Sequence, residues 1–166
     1  MRNLIAVPVI IMAVILQSSV VSRITLLSGY ADLPLILVAA WAIQDQVDTE
    51  WHWAVAAGAL VGFVSGVNWV VPVAGYLLVV GLAKVLQLRV WQAPLLAMFS
   101  ISFLGTIVLD ALSYGALRLS GVPVPFQDAF GLQTLPRVLL NLLISIPVYA
   151  VMRDLAHWTY PSPEAV

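Results

Sequence analysis

The chain consists of long apolar runs separated by short polar segments. The longest run extends from Ala54 to Ala83 without a single Asp, Glu, Lys, Arg or His. About 20 consecutive apolar residues are enough for a helix to cross the hydrocarbon core of a bilayer. The pattern therefore predicts a helical membrane protein rather than a soluble domain.

The polar and helix-breaking residues between the runs divide the chain into six predicted helices. Asn68 and Pro72 split the longest run, and the segment 120–134, which holds prolines and glycines, is predicted to be a loop. The predicted helices cover residues 4–21, 33–43, 53–66, 73–86, 92–117 and 135–152. The predicted fold is an all-α integral membrane protein with about six transmembrane helices. One helical domain would occupy residues 1–157, with a short frayed tail at 158–166.

The first two predicted helices are unusual. The first follows Arg2 as a signal peptide would, but no clean small-x-small cleavage site follows it, so we expect a retained helix. The second, at 33–43, spans only about 17 Å, short of the roughly 30 Å core. It must extend into its flanks, lie beside a thinned bilayer, or be shielded by other helices. The cluster Trp51-His52-Trp53 is expected at the membrane interface.

Composition supports the membrane prediction and limits the classes of protein and the kinds of site to consider. The chain is 62% hydrophobic and 9% charged, has a net charge of -1 and contains no cysteine. Its mean hydropathy is +1.03. These values exclude an ordinary cytosolic enzyme, disulfides and cysteine-based metal sites, and they show no basic surface for nucleic acid.

The placement of basic residues gives a small orientation signal. With six crossings both termini lie on one side, and four basic residues against three favour cytoplasmic termini. The four on the terminal side are Arg2, Lys84, Arg89 and Arg153, and the three on the other side are Arg23, Arg118 and Arg137.

A stripe of small residues is the clearest local motif. Ala54, Gly58, Gly62 and Gly66 recur every four residues and so share one face of the third helix. Small side chains let another helix backbone approach closely. The stripe predicts either helix packing within this chain or a face for a partner helix or a lipid, and the sequence leaves both open.

Asp110 is the most informative charge because it lies inside a predicted membrane helix. An unpaired carboxylate there costs about 2.5–3.5 kcal/mol on insertion scales. If Leu117 and Thr134 are level, Asp110 is level with Asn141, and Arg137 lies one turn nearer the surface on the same stripe. We therefore predict a buried polar network of Asp110, Arg137 and Asn141. It would either lock two helices together or form a ligand, proton or partner site.

Other polar residues have simpler interpretations. Asp32 precedes Leu33-Pro34 and fits a helix N-cap. His52 and His157 are isolated, and no metal-ligand spacing, catalytic motif or Ser/His/Asp arrangement is present in the sequence. We therefore expect no catalytic residue, no metal and no cofactor, and a protein that is not an enzyme.

Several motifs in order resemble MreD, a small membrane protein family of the bacterial rod-shape system. They are Leu16-Gln17-Ser18-Ser19, Ala31-Asp32-Leu33, Ala40-Trp41-Ala42, the glycine-rich helix with Gly58, Gly62, Phe63 and Gly66, Leu140-Asn141, and Pro147-Val148-Tyr149. The resemblance covers essentially the whole chain. One departure is Asn68, where the family often has an acidic residue.

The resemblance implies a non-enzymatic scaffold in the bacterial cytoplasmic membrane. It would bind MreC, a bitopic membrane protein, and help to couple MreB filaments to the glycosyltransferase RodA and a class B penicillin-binding protein. It also implies a fold similar to the substrate-binding subunits of energy-coupling-factor transporters, with a cavity that holds lipid or a partner segment. A vitamin-type transporter subunit is the alternative, and a small membrane enzyme has no supporting motif.

Overall fold

The computed structural model describes residues 5–65, 68–89 and 93–160, and these ranges form six α-helices and one short hairpin. The helices are α1 (Ala6–Ser19), α2 (Leu33–Ala42), α3 (Glu50–Ser65), α4 (Val70–Arg89), α5 (Pro94–Leu119) and α6 (Leu135–Thr159). Strands β1 (Thr25–Leu26) and β2 (Gly29–Tyr30) pair antiparallel between α1 and α2. A π-helical turn, Asp128–Thr134, leads directly into α6.

Four segments of the described chain are long and apolar enough to cross a membrane. They are Ala6–Arg23, Val70–Leu88, Pro94–Leu119 and Asp128–Thr159. Large apolar side chains such as Leu78 and Leu143 are exposed on the outer surface of these segments, where lipid would solvate them. The protein is therefore a multi-pass membrane protein of the all-α class.

The short helix α2 is shielded by protein. Every residue from Pro34 to Ala42 is buried, and the helix packs against all five other helices. Of the three possibilities left open by its length, enclosure by neighbouring helices is the one observed. Protein neighbours can surround a helix too short to span the hydrocarbon, so α2 forms the centre of the bundle.

Several helix ends differ from the sequence prediction. Helix α4 begins at Val70, because the Asn68 side chain accepts a hydrogen bond from Val70 N at 3.1 Å. Pro72 therefore lies in the first turn of α4, where a missing N–H is tolerated, and does not interrupt the helix. Helix α3 begins at Glu50 rather than at residue 53.

The cluster Trp51-His52-Trp53 lies in the first turn of α3, and only part of it is exposed as expected of an interfacial cluster. Trp51 is exposed, but Trp53 is completely buried and stacks on Trp41 with ring centroids 4.3 Å apart. Glu50 is also buried and pairs with Lys84 of α4 at 2.9 Å. Lys84 lies inside α4 and neutralises this acid.

The frayed tail predicted at 158–166 overlaps the last two residues of α6. Helix α6 continues to Thr159, so Trp158 and Thr159 are helical, and the Tyr160 hydroxyl donates to Asp48 Oδ1 at 3.0 Å. This contact ties the end of α6 to the segment before α3, which stabilises the additional turns. Residues 161–166 of the predicted tail lie outside the described residues.

The hairpin and the π-helical turn meet at one end of the bundle, here called the hairpin end. Ser28 N donates to Leu132 O at 3.1 Å. A Cβ atom on Gly29 would lie 2.6 Å from Gln133 O and 2.9 Å from Arg137 N, so glycine permits this close approach. The segment 120–134 is predicted as a loop, but its last seven residues form the π-helical turn. The contact between this turn and the hairpin fixes Tyr30 and Asp32 against the start of α6.

Candidate functional site: a buried polar ladder at the hairpin end

Polar side chains at four-residue spacing face each other across α5 and α6. We call this set the polar ladder. Its members are Ser102, Thr106 and Asp110 on α5, and Arg137, Asn141 and Ser145 on α6, and all six are buried. Four-residue spacing places each set on one stripe of its helix, so antiparallel packing brings the two stripes together. The ladder is the largest concentration of polar groups described inside the bundle.

The first rung is an ion pair between Asp110 and Arg137. Arg137 Nη1 donates to Asp110 Oδ1 at 2.6 Å, and Arg137 Nε donates to Tyr30 O at 3.3 Å. The guanidinium lies over the Tyr30 ring, 4.9 Å from its centroid. Asp110 Oδ2 has no hydrogen-bond partner among the described residues. The pair joins α5, α6 and the hairpin.

The second rung joins Asn141 to Thr106 and corrects the predicted depth match. Asn141 Nδ2 donates to Thr106 Oγ1 at 2.7 Å, and Asn141 Oδ1 accepts from Asp32 N at 2.7 Å. Asp110 is therefore level with Arg137, and the predicted level pairing of Asp110 with Asn141 is wrong by one turn. The prediction assumed that Leu117 and Thr134 are level because both were taken as helix ends. In the structure α5 continues to Leu119 and the π-helical turn leads into α6 without a break, so these two residues are not level.

Asp32 fills its predicted role and adds a second one. Its Oδ1 accepts from Leu35 N at 3.1 Å, as a helix N-cap does, and also from the Tyr76 hydroxyl at 3.3 Å. The charges of Asp32 and Asp110 both act on Arg137. Two carboxyl groups and one guanidinium therefore share the hairpin end of the ladder.

The predicted network of Asp110, Arg137 and Asn141 omits other residues of this site, namely Ser102, Thr106 and Ser145 of the ladder and the neighbouring Gln17 and Tyr76. Gln17 holds the turn before α2, since its Nε2 donates to Ala31 O at 2.8 Å and its Oε1 accepts from Leu33 N at 2.9 Å. Thr106 and Tyr76 bond to Asn141 and Asp32. The four-residue spacing of Ser102, Thr106 and Asp110 would have indicated Thr106. No local signal indicates Tyr76.

Two members of the small-residue stripe, Gly58 and Gly62, pack closely against the backbone of another segment of this chain. A Cβ atom on Gly58 would lie 2.6 Å from Val73 Cα, and one on Gly62 would lie 2.7 Å from Trp69 Cα. Ala54 is fully buried. The first turn of α4 therefore covers Gly58, and Trp69, the residue just before α4, covers Gly62. Gly66, the last predicted member, lies outside the described residues.

Several concave regions occur in the described structure, among them an end cavity and a lateral groove. The end cavity, about 300 Å³, is bordered by apolar side chains and by the polar residues Gln17, Ser18, Tyr30, Asp32, Ser65, Ser113, Gln133 and Arg137. The lateral groove, about 600 Å³, lies on α1, α2 and α6 and is apolar. They share no lining residue. Groups of three or more His, Asp or Glu that could hold a metal ion do not occur in the described parts of the chain.

Fold and site together define an all-α, multi-pass membrane protein with a buried polar ladder. No family model, curated protein or solved structure matches this chain.

Proposed function

We propose that this chain is a non-enzymatic scaffold of the bacterial cell-elongation complex. As the resemblance to MreD implies, it would bind an MreC-like bitopic protein and help to couple MreB filaments to RodA and its class B penicillin-binding protein. It would reside in the bacterial cytoplasmic membrane with six crossings and cytoplasmic termini. The hairpin end would then face the cell exterior.

The lateral groove is the observation that carries this proposal. It is bounded by Pro8, Met12 and Leu16 on α1, Leu37 on α2, and Pro147 and Val151 on α6. In a bilayer, helix association depends on close packing rather than on removal of apolar surface from water. A concave apolar surface offers a partner helix more packing contact than a convex one. The groove therefore suits the transmembrane helix of a bitopic partner.

The polar ladder supports a structural role. Its ion pair and hydrogen bonds connect α2, α5, α6 and the hairpin, so the bundle holds a fixed shape against which a partner can pack. Buried polar groups that are hydrogen-bonded to one another, as Asn141 is to Thr106 and Asp32, can define a unique arrangement of helices. A rigid outer surface is what a scaffold requires.

We expect the complex to depend on the lateral groove. The protein would be co-expressed with the MreC-like partner encoded in the same genome and purified in mild detergent. Val151→Trp, which fills the groove, is expected to reduce co-purification of the partner by about tenfold, the equivalent of about 1.4 kcal/mol of binding free energy. Leu143→Trp is the matched control, because Leu143 is an exposed residue of the same helix and does not border the groove.

Two outcomes would contradict the scaffold proposal. One is that this chain purifies without the partner although the two are co-expressed. The other is equal recovery of the partner with Val151→Trp and Leu143→Trp, which would leave the groove without a role.

The end cavity favours a second candidate, the substrate-binding subunit of a vitamin-type transporter. A closed pocket with convergent polar groups is what such a subunit needs, and Asp32 and Arg137 both border this cavity. A tightly bound vitamin in the purified protein, detected by mass spectrometry, would favour this candidate over the scaffold.

A further inference from the structure

The end cavity is polar both at its floor and at its mouth. Its floor holds Asp32 and Arg137, and Arg137 pairs with Asp110 more than two turns before the last residue of α5. Its mouth lies nearer the hairpin end and is bordered by Ser18, Val64, Ser65, Ser113, Leu117 and Gln133. Most of these residues are polar, so the mouth suits water and a water-soluble ligand better than a lipid chain.

Asp32 has a carboxylate oxygen that the protein does not use. Both hydrogen bonds that its side chain accepts, from Leu35 N and the Tyr76 hydroxyl, go to Oδ1. Its Oδ2 accepts no hydrogen bond from the described part of the chain. The residue is only 8% exposed and borders the end cavity. Because an unpaired acceptor in a buried position is costly, a donor supplied from the cavity would stabilise it.

Arg137 has donors that the protein does not use. Its Nε and Nη1 donate to Tyr30 O and Asp110 Oδ1, and no hydrogen bond from Nη2 to another described residue is formed. Arg137 is also 8% exposed and borders the end cavity. A guanidinium group carries five N–H donors, so it can bind a further acceptor in the cavity without losing either existing partner.

Asp32 and Arg137 lie close enough to interact but do not bond to each other. Their charges act on one another, yet the ion pair that Arg137 forms within the described residues is with Asp110. A ligand that donates to Asp32 and accepts from Arg137 would bridge the two groups. A metal ion or a proton would satisfy Asp32 alone, since neither offers an acceptor to Arg137.

The local charge determines which ligand fits. Two carboxyl groups, Asp32 and Asp110, share one guanidinium, so the ionised site has one negative charge in excess. An anionic ligand would add to that excess and a zwitterion would leave it unchanged, whereas a ligand with one positive charge cancels it. The positive group belongs at Asp32, because Asp110 already has its ion pair. The acceptor at Arg137 is then a neutral oxygen.

We propose that the end cavity binds a small, water-soluble organic monocation, with a primary ammonium group at Asp32 and a neutral carbonyl oxygen at Arg137. The volume of about 300 Å³ is at the lower end of the range for ligand pockets, so the ligand is small. Binding here does not depend on the scaffold role, because the lateral groove shares none of the lining residues. In the transporter candidate, a ligand of this class would be the substrate.

Leucinamide is the probe, because at about pH 7 it carries one ammonium group beside a neutral amide carbonyl. Isothermal titration calorimetry of the full chain in mild detergent would compare its dissociation constant with those of close analogues. The amide 4-methylpentanamide lacks the ammonium group, 3-methylbutylamine lacks the carbonyl group, and leucine adds a carboxylate. Each analogue is expected to bind at least about tenfold more weakly than leucinamide, since each loses a charge-assisted contact or the charge balance.

The analogues separate the parts of the proposal. Equal binding of 4-methylpentanamide would overturn the ammonium site, and equal binding of 3-methylbutylamine would overturn the role of Arg137. Leucine that binds as tightly as leucinamide would contradict the charge balance. Absence of leucinamide binding at millimolar concentration would overturn the proposal as a whole.

Asp32→Asn tests the ammonium site without removing the helix cap, since asparagine caps helices as well as aspartate does. The variant is expected to bind leucinamide about tenfold more weakly and to lose the preference for leucinamide over 4-methylpentanamide. A merely structural role of Asp32 would not alter that preference. A preference that survives the substitution would overturn the placement of the ammonium group.

A second pair of variants locates the ligand in the end cavity. Val61→Phe places a ring in the cavity and is expected to weaken leucinamide binding by about tenfold. Val55→Phe is the matched control, because Val55 is exposed on the same helix and does not border the cavity. Unchanged affinity with Val61→Phe would contradict the location. Failure of these binding tests leaves the partner co-purification unaffected, so the two proposals can fail separately.

Discussion

Replacing Arg137 with alanine is expected to reduce the free energy of unfolding by about 3–5 kcal/mol, because it leaves a buried carboxylate without its partner. Arg137 donates to Asp110 at 2.6 Å, and its charge also acts on Asp32. Its removal therefore leaves two acids with no cation in this pocket. It also breaks the contact to Tyr30 O that joins the hairpin to α6.

Asp110→Asn is expected to have a smaller effect, about 1–2 kcal/mol, because asparagine still accepts a hydrogen bond from Arg137 and Asp32 still balances the guanidinium charge. Arg153→Ala is the matched control on the same helix. Arg153 pairs with Asp154 at 3.1 Å, but both side chains are exposed. An exposed ion pair contributes only about 0–1 kcal/mol.

Reversible unfolding in mixed micelles, followed by far-UV circular dichroism, would measure the three variants. The expected order of destabilisation is Arg137→Ala, then Asp110→Asn, then Arg153→Ala. Equal, negligible losses for the first two would mean that the ion pair does not hold the bundle together. A larger loss for Asp110→Asn than for Arg137→Ala would contradict the charge argument.

Gly62→Leu is expected to prevent normal packing of α3 on α4. A Cβ atom at position 62 would already lie 2.7 Å from Trp69 Cα and 2.9 Å from Trp69 Cβ, and the rest of a leucine side chain has no space beyond it. Because backbone atoms form this contact, a rotamer change cannot relieve it. Overpacking costs about 1–3 kcal/mol where side chains can adjust, so a rigid contact should reach or exceed the upper value.

Gly115→Leu is the matched control for this substitution. Gly115 lies within α5, and a Cβ atom there would meet nothing within 4 Å. Leucine is also favoured over glycine inside a helix by up to about 1 kcal/mol. Thermal unfolding and size-exclusion chromatography in detergent should therefore show a folded Gly115→Leu variant beside a destabilised or aggregated Gly62→Leu variant. Equal stability of the two would remove the packing argument.

Part of this structure follows from local sequence pattern. The apolar runs predict the helices, because hydrocarbon demands that backbone hydrogen bonds be made within each segment. Four-residue spacing predicts that Gly58 and Gly62 share a face, and the position of Asp32 before Leu33-Pro34 predicts a cap. The position of Asp110 deep in a helix predicts a buried partner for its carboxyl group.

The tertiary structure decides which groups meet. Helical periodicity gives the face on which a side chain lies, but not how far one helix is shifted along another. The π-helical turn and the two additional residues at the end of α5 accompany that shift, so Asp110 meets Arg137 while Asn141 meets Thr106. The fold also brings Tyr76 to Asp32 across 44 residues of sequence.

The same distinction explains the lateral groove and the end cavity. Sequence determined that this chain is apolar, helical and membrane-spanning, since each of those properties depends on composition and local spacing. Whether an apolar residue faces a neighbouring helix, a cavity or lipid depends on how all the helices pack together. Trp53 is buried against Trp41, while Trp51, two residues earlier, is exposed. The lateral groove and the end cavity arise from that packing, because each is lined by residues from helices far apart in the sequence.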